Sequence, residues 1–325
     1  MLYELAYPVL YLGAKSQQMS VRTKARLGWA PKEMGAVVYK PETRYRILCW
    51  FIRKQDIRAM MLVAPRQAAR TAVKRFETTK RDPRAPVRLS DEEKVRIEHL
   101  TYQGSTVRVL RYGPSDGPKI LSLHGWNGKA SMLHKMNLAL GDAGFNVFAP
   151  DLPGHGGSEG TRFAFHQLGH AVKEMFADEG TFAALIGHSG GGLIGSIALS
   201  EGFPAKTYIP IGAPSSLHGL LKSYVEVSDM PEKTLDYIAR HYARRFAIPI
   251  EELGAPVLSS LDMNTLVLHD KSDWMVNVSN AQDWADAAAQ SEVELTEGYT
   301  HLSIVKAPAV HERVISFIQK AQSIA

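Results

Sequence analysis

The sequence predicts an α/β fold, a mostly parallel sheet flanked by helices, and three observations carry that prediction. Short apolar runs compatible with buried strands recur between residues 119 and 296. One of them, Phe182 to Ile186, leads through Gly187-His188-Ser189-Gly190-Gly191 straight into a second apolar run, Leu193 to Leu199, of helix-compatible composition. The chemically active side chains stand just past the ends of these runs, where open α/β sheets carry their sites.

Each element can be justified in turn. Lys119 to Leu123 reads as a strand that breaks at the turn His124-Gly125-Trp126-Asn127-Gly128. Phe145 to Pro150 is a further strand, followed by the glycine-rich loop from Asp151 to Ser158. The Gly-x-Ser-x-Gly between a strand and a helix places Ser189 at the tip of a sharp turn, with glycines beside it because side chains there would clash. The amide of Gly190, at the start of the following helix, faces the position where negative charge would develop. Asn264 to His269 is a buried strand ending in a loop that holds Asp270 and Asp273. Glu292 to Thr296 is another strand, and it runs into Gly298-Tyr299-Thr300-His301. A serine hydroxyl needs an imidazole to take its proton, and the imidazole needs a carboxylate to fix its tautomer. Ser189, an acid and His301 follow in the order nucleophile, acid, histidine.

With these motifs in order, the stretch from about residue 100 to the C-terminus resembles the α/β-hydrolase superfamily. It is most similar to small bacterial hydrolases of the esterase and serine-aminopeptidase-like branch. The resemblance implies an eight-stranded mostly parallel sheet and a catalytic triad of Ser189, His301 and Asp273. It further implies an oxyanion hole from the amides of Trp126 and Gly190, no cofactor, and a helical lid at about 215–262. Asp273 is the expected acid because it stands four residues after His269; many relatives have glycine where this chain has Asp270, so Asp270 is a departure from the pattern. His124, His155 and His188 lie beside glycine turns and read as backbone-bonded. The spacing of His124, Asp151 and His155 is not that of a zinc motif, so no metal is expected.

Charge divides the chain. Residues 1–86 hold 18 Lys and Arg against 6 Asp and Glu, whereas the remainder is net acidic, with 20 basic and 27 acidic residues. The expected organisation is a basic helical N-terminal extension over 1–88 and a hydrolase domain with its lid over 89–325. The boundary falls near Arg81-Asp-Pro-Arg-Ala-Pro86. Ser90-Asp-Glu-Glu93 resembles a capping box and predicts a short acidic helix from Asp91 to about Glu98. Ahead of the boundary, Ile47, Phe51, Ile57, Met60, Met61, Val63, Ala68 and Ala72 recur at helical spacing among arginines, which predicts one or two amphipathic helices. Three readings of this segment stand: an extension docked on the acidic domain, peripheral contact with an anionic membrane, and nucleic-acid binding, which no motif supports. Phe76-Glu77-Thr78 resembles the Phe-x-Thr that ends a similar extension in some small bacterial hydrolases, which favours docking. The single cysteine, Cys49, rules out an internal disulfide framework. No secretory leader pattern is visible, so a cytoplasmic location, with any membrane contact at its inner face, is the expectation.

Helical patterns at Leu217–Val227 and Pro231–Phe246 mark the lid. Its Leu220, Leu221, Tyr224, Val225, Leu235, Tyr237, Ile238 and Tyr242 suit an acyl or aromatic group, and an inward-facing Arg240, Arg244 or Arg245 would pair with a carboxylate. The expected activity is hydrolysis of a carboxylic ester or related small acyl substrate through an acyl-enzyme. Thioesterase, amidase and peptidase share the same triad, and a non-catalytic binding protein on the same fold is the reading of a different class.

Overall fold

The computed structural model describes residues 56–79, 92–246 and 249–323. Eight strands form one sheet: β1 (Val95–Tyr102), β2 (Ser105–Tyr112), β3 (Lys119–Leu123), β4 (Asn146–Pro150), β5 (Ala184–His188), β6 (Thr207–Ile211), β7 (Asn264–Asp270) and β8 (Gln290–Thr296). Their spatial order is β1-β2-β4-β3-β5-β6-β7-β8. β2 runs antiparallel to both neighbours and every other pairing is parallel. The eight-stranded mostly parallel α/β architecture expected from the sequence is the one observed. The central strands β3 to β6 are mostly apolar and buried almost along their whole length because helices cover both faces.

Those helices are α1 (Pro65–Glu77), α2 (His134–Asp142), α3 (Phe165–Met175), α4 (Gly190–Ser200), α5 (Leu217–Val227), α6 (Thr234–Phe246), α7 (Ser279–Ala287) and α8 (Pro308–Ser323). On one face, α2 and α8 bury Met136, Leu140, Val310, Val314 and Phe317 against the sheet. On the other face, one continuous core joins α3, α4, α7, the α5–α6 insertion and α1. The insertion follows β6, and its two helices lie close to where the sequence pattern puts them.

One expectation fails. The acidic helix expected from Asp91 to about Glu98 is only a 3-10 turn over Glu92–Lys94 before β1 begins at Val95. Tertiary pairing overrides the local capping signal: all eight residues of β1 pair with β2. The connecting residues Gln103 and Gly104 take φ of 47° and 76°, the left-handed conformation of a tight hairpin. Val95 and Ile97, β-branched, suit a strand better than a helix.

The basic segment is helical over 56–63 and again over α1. Ile57, Met61, Ala68, Ala69, Ala72 and Val73 are buried in the same core as the hydrolase helices. Residues 1–55, the Arg81–Pro86 stretch and Ser90 lie outside the described residues. After α1 the backbone pairs briefly with the 161–163 segment, Phe163 N donating to Glu77 O at 3.1 Å and Thr79 N to Thr161 O at 3.0 Å. Glu77 itself is fully buried. Its carboxylate accepts from Arg162 Nε and Nη2 at 3.0 and 2.8 Å and from Arg245 Nη1 at 2.8 and 3.0 Å. A buried carboxylate tolerates such a position only when opposite charges and hydrogen bonds surround it. The inward-facing lid arginine is therefore Arg245, and the carboxylate it meets belongs to the protein. Glu77→Gln should lower the unfolding free energy by about 2 kcal/mol in urea titrations, because both guanidinium groups then face a neutral amide. Arg162→Gln should cost less, since Arg245 still holds the charge.

Candidate active site

The chain leaves β3 for β4 on one side, yet β5 lies on the other side of β3. Loops after β3 and β5 therefore diverge, and such a switch point opens a crevice at the strands' carboxyl ends. Ser189 sits there, between β5 and α4, with φ 54° and ψ −128°. A non-glycine residue in that conformation is strained. The turn is compressed on every side: a Cβ on Gly187 would lie 2.5 Å from Gly192, and one on Gly191 would lie 2.4 Å from the Leu123 carbonyl. The Ser189 amide donates to Ile211 O at 2.9 Å, tying the turn to the end of β6.

The turn after β3 packs directly on this serine. A Cβ at Gly125 would be 3.0 Å from Ser189 Cβ, and one at Gly190 would be 3.1 Å from the Trp126 amide nitrogen. The two amides expected to face the reacting oxygen, those of Trp126 and Gly190, are thus neighbours. Asp151, fully buried, holds this turn in place. It accepts from Ala130 N at 2.7 Å, Gly157 N at 2.8 Å and Arg108 Nε at 2.7 Å, joining the turn after β3, the glycine-rich loop and β2.

His301 Nδ1 and Asp273 Oδ2 are 2.7 Å apart, and both residues are buried. A carboxylate accepts, so Nδ1 carries the proton and Nε2 is left as the base. Asp273 Oδ1 also accepts from Met275 N at 2.8 Å and Val276 N at 3.0 Å. Burial alone would raise the Asp273 carboxyl, but the bond from His301 and those two amides outweigh it and hold it below the ordinary value. Asp270 is occupied elsewhere: it accepts from Ser272 N, Thr296 Oγ1 and Tyr299 N at 2.8, 2.8 and 3.0 Å, bracing the loops that carry Asp273 and His301.

Three histidines beside the site bond to the main chain. His188 Nε2 donates to the His301 carbonyl at 2.8 Å, and His155 Nδ1 to Pro153 O at 3.0 Å. His124 Nδ1 donates to Gly125 O at 2.8 Å while Nε2 accepts from Leu152 N at 3.0 Å, which fixes a neutral tautomer. Burial, with the adjacent His301, pushes His188 down to about 4; burial and His124 push His155 to about 3. Burial lowers His124 as well. No group of three or more His, Cys, Asp or Glu able to hold a metal ion occurs among the described residues.

Sequence reasoning gave Phe76 no role in the site. Its ring stacks on Trp126 at 5.7 Å and on Phe165 at 5.8 Å, and meets Tyr224 at 5.0 Å. The signal was present: in a strongly basic segment, the pair Phe76-Glu77 combines a large apolar ring with the first acid after Asp56. Ser189 stays half-buried, and Trp274, Met275 and Leu302, next in chain to Asp273 and His301, are 73%, 50% and 45% exposed.

A model described as the alpha/beta hydrolase family matches residues 120–311, and the chain belongs to that family. It is an enzyme of the hydrolase class. A 109-residue stretch is 37% identical to the magnesium-chelatase 30 kDa subunit of Rhodobacter capsulatus, covering 32% of this chain and only 38% of that protein. Among solved structures, the esterase RhEst1 from Rhodococcus sp. ECU1013 superposes with a TM-score of 0.54 at 19% identity, covering 70% of this chain and 99% of its own. A membrane phospholipase A superposes with a TM-score of 0.57 at 16% identity, covering 86% of this chain and 99% of its own. At these identities the two structures share the fold. No helix among the described residues is long and apolar enough to cross a membrane.

The neutral histidines make stability pH-dependent. Above about pH 6.5 they are neutral in the folded and unfolded chain alike. Below it, the unfolded chain takes up protons that the folded one refuses, so stability is lost as pH falls toward the folded values. Between pH 7.5 and 5, urea titrations should show a loss of about 2 kcal/mol for each of His155 and His188, with a further loss in the same direction from His124. His188→Gln should flatten that slope.

Proposed function

We propose that this hydrolase cleaves a carboxylic ester of a small acyl substrate through an acyl-enzyme formed on Ser189. The observation that carries the reading is the 2.7 Å pairing of His301 with Asp273, with Ser189 held on the neighbouring turn. His301 Nε2 takes the serine proton as Oγ attacks the carbonyl, then returns it to the leaving alcohol. Asp273 fixes the tautomer and stabilises the imidazolium, and the amides of Trp126 and Gly190 receive the oxyanion. Water, activated by the same imidazole, releases the acid and restores Ser189. None of these steps calls for a cofactor.

The α5–α6 insertion acts as the lid, with α1 beside it, and the apolar rim of Trp274, Met275 and Leu302 suits an acyl chain. The lone cysteine supports a cytoplasmic setting.

A fluorophosphonate probe should label wild type at Ser189 and leave Ser189→Ala unlabelled; absence of labelling in folded wild type overturns the reading. Turnover of short-chain p-nitrophenyl esters should fall about a thousandfold or more in His301→Ala and in Asp273→Asn. Asp270→Asn should cost much less, and a larger loss there than in Asp273→Asn would reverse the assignment of the acid. Thioester and amide analogues of the best ester, run on the same panel, decide between leaving groups.

A further inference from the structure

A cleft of about 630 Å³, with Phe76 outside its lining, opens between α1 and α6. Five arginines line it: Arg66 and Arg70, one turn apart on α1, and Arg240, Arg244 and Arg245 on α6, with Tyr237 beside them. No acidic side chain lines the cleft. Arg245 is neutralised at the inner wall by Glu77, and Arg240 lies over the Tyr237 ring at 5.2 Å. Among the described residues Arg66, Arg70, Arg240 and Arg244 make no ion pair.

An ordinary basic helix face spreads its charges into solvent, and like charges one turn apart weaken a helix. Here two such pairs are set on facing helices that cannot separate. Tyr224 of α5 donates to the Ala72 carbonyl of α1 at 3.2 Å, Glu77 of α1 grips Arg245 of α6, and Ala72, Val73, Ile238 and Tyr242 are buried in the shared core. A concave site lined by one sign of charge focuses the field on whatever enters it. Its effect is visible on His241, also in the lining, which burial and then the Arg245 charge hold below its ordinary value, Arg70 and Arg162 adding and Glu77 opposing. Guanidinium forks in pairs match the oxygens of a phosphate group better than those of a halide or a lone carboxylate.

We propose that this cleft is a binding site for a phosphate ester, the shared chemistry of a soluble organophosphate and an anionic phospholipid headgroup. Arg245 of its lining is held from behind by Glu77, the neighbour of Phe76 in the chain, so the ligand rests on the helix that also carries Phe76 against Trp126 beside Ser189. Binding is independent of the chemistry at Ser189 and is read without turnover.

The test uses the full chain at physiological salt. Calorimetry with pyrophosphate reads the soluble source, and co-sedimentation with phosphatidylcholine vesicles, with and without phosphatidylglycerol, reads the headgroup. Wild type should bind at least one of the two probes saturably. Arg66→Gln with Arg70→Gln, and separately Arg240→Gln with Arg244→Gln, should each weaken that binding about tenfold or more. Lys206→Gln with Lys306→Gln removes the same charge from exposed positions elsewhere and should leave it unchanged. Pyrophosphate binding alone identifies a soluble ligand and dependence on phosphatidylglycerol alone a headgroup; both results support the site. Binding of neither probe, equal weakening in the lysine control, or vesicle binding that survives both arginine pairs overturns it. All the substituted side chains are exposed, and an unchanged thermal midpoint verifies the fold of each variant.

Discussion

The backbone strain at Ser189 is the constraint around which this molecule is organised. A serine held at positive φ costs about 1–3 kcal/mol and persists only where the surroundings over-determine it. Here the surroundings do so in three directions. The ladder of β5 fixes the chain up to His188, the amide of Ser189 is tied to Ile211 at the end of β6, and α4 is buried from Gly190 to Leu199. Relaxing the turn would pull an entire helix out of the core. The glycines at 187 and 191 follow from the same compression, since any side chain there would enter the neighbouring turn or the backbone after β3.

A second layer of order sits on top of that turn and comes from a part of the chain unlike the rest in charge. Phe76 stacks on Trp126, and Glu77, one residue later, joins Arg162 beside α3 to Arg245 on α6. The aromatic stack supplies apolar contact and the carboxylate supplies register. A ring on a surface slides readily, whereas a buried carboxylate with two guanidinium partners has one place to be. The positive charge around α1 and α6 is thereby divided: Arg162 and Arg245 face an internal acid, and Arg66, Arg70, Arg240 and Arg244 are left lining a cleft.

Much of this was legible in the sequence, and the reason is local. The Gly-x-Ser-x-Gly turn, the His-Gly turn after β3 and the positions of Asp273 and His301 each depend on a few adjacent residues with steric or spacing demands, so their signatures are written contiguously. The α5 and α6 helices were legible because their apolar spacing is regular. What escaped was long-range. The β1–β2 hairpin was hidden by an acidic capping signal at Ser90–Glu93, and only pairing along β2 explains why Val95 onwards is extended. Glu77 carried no local sign that its partners lie 85 and 168 residues away. Asp273 is the expected acid by its spacing from His269, but the bonds that occupy Asp270 were not legible, because they depend on where β8 and its following loop deliver Thr296 and Tyr299.

The separation between Glu77 and its two arginines also orders events in time. During synthesis α1 emerges well before α3 and α6, and the loop that must close to bring them together costs entropy that grows with its length. Until Arg245 exists and the sheet has assembled, Phe76 and the alanine face of α1 have no core to enter. This segment, early in the chain, is thus a late arrival in the fold, and the roof over Ser189 is completed only when the insertion and nearly all of the sheet are in place.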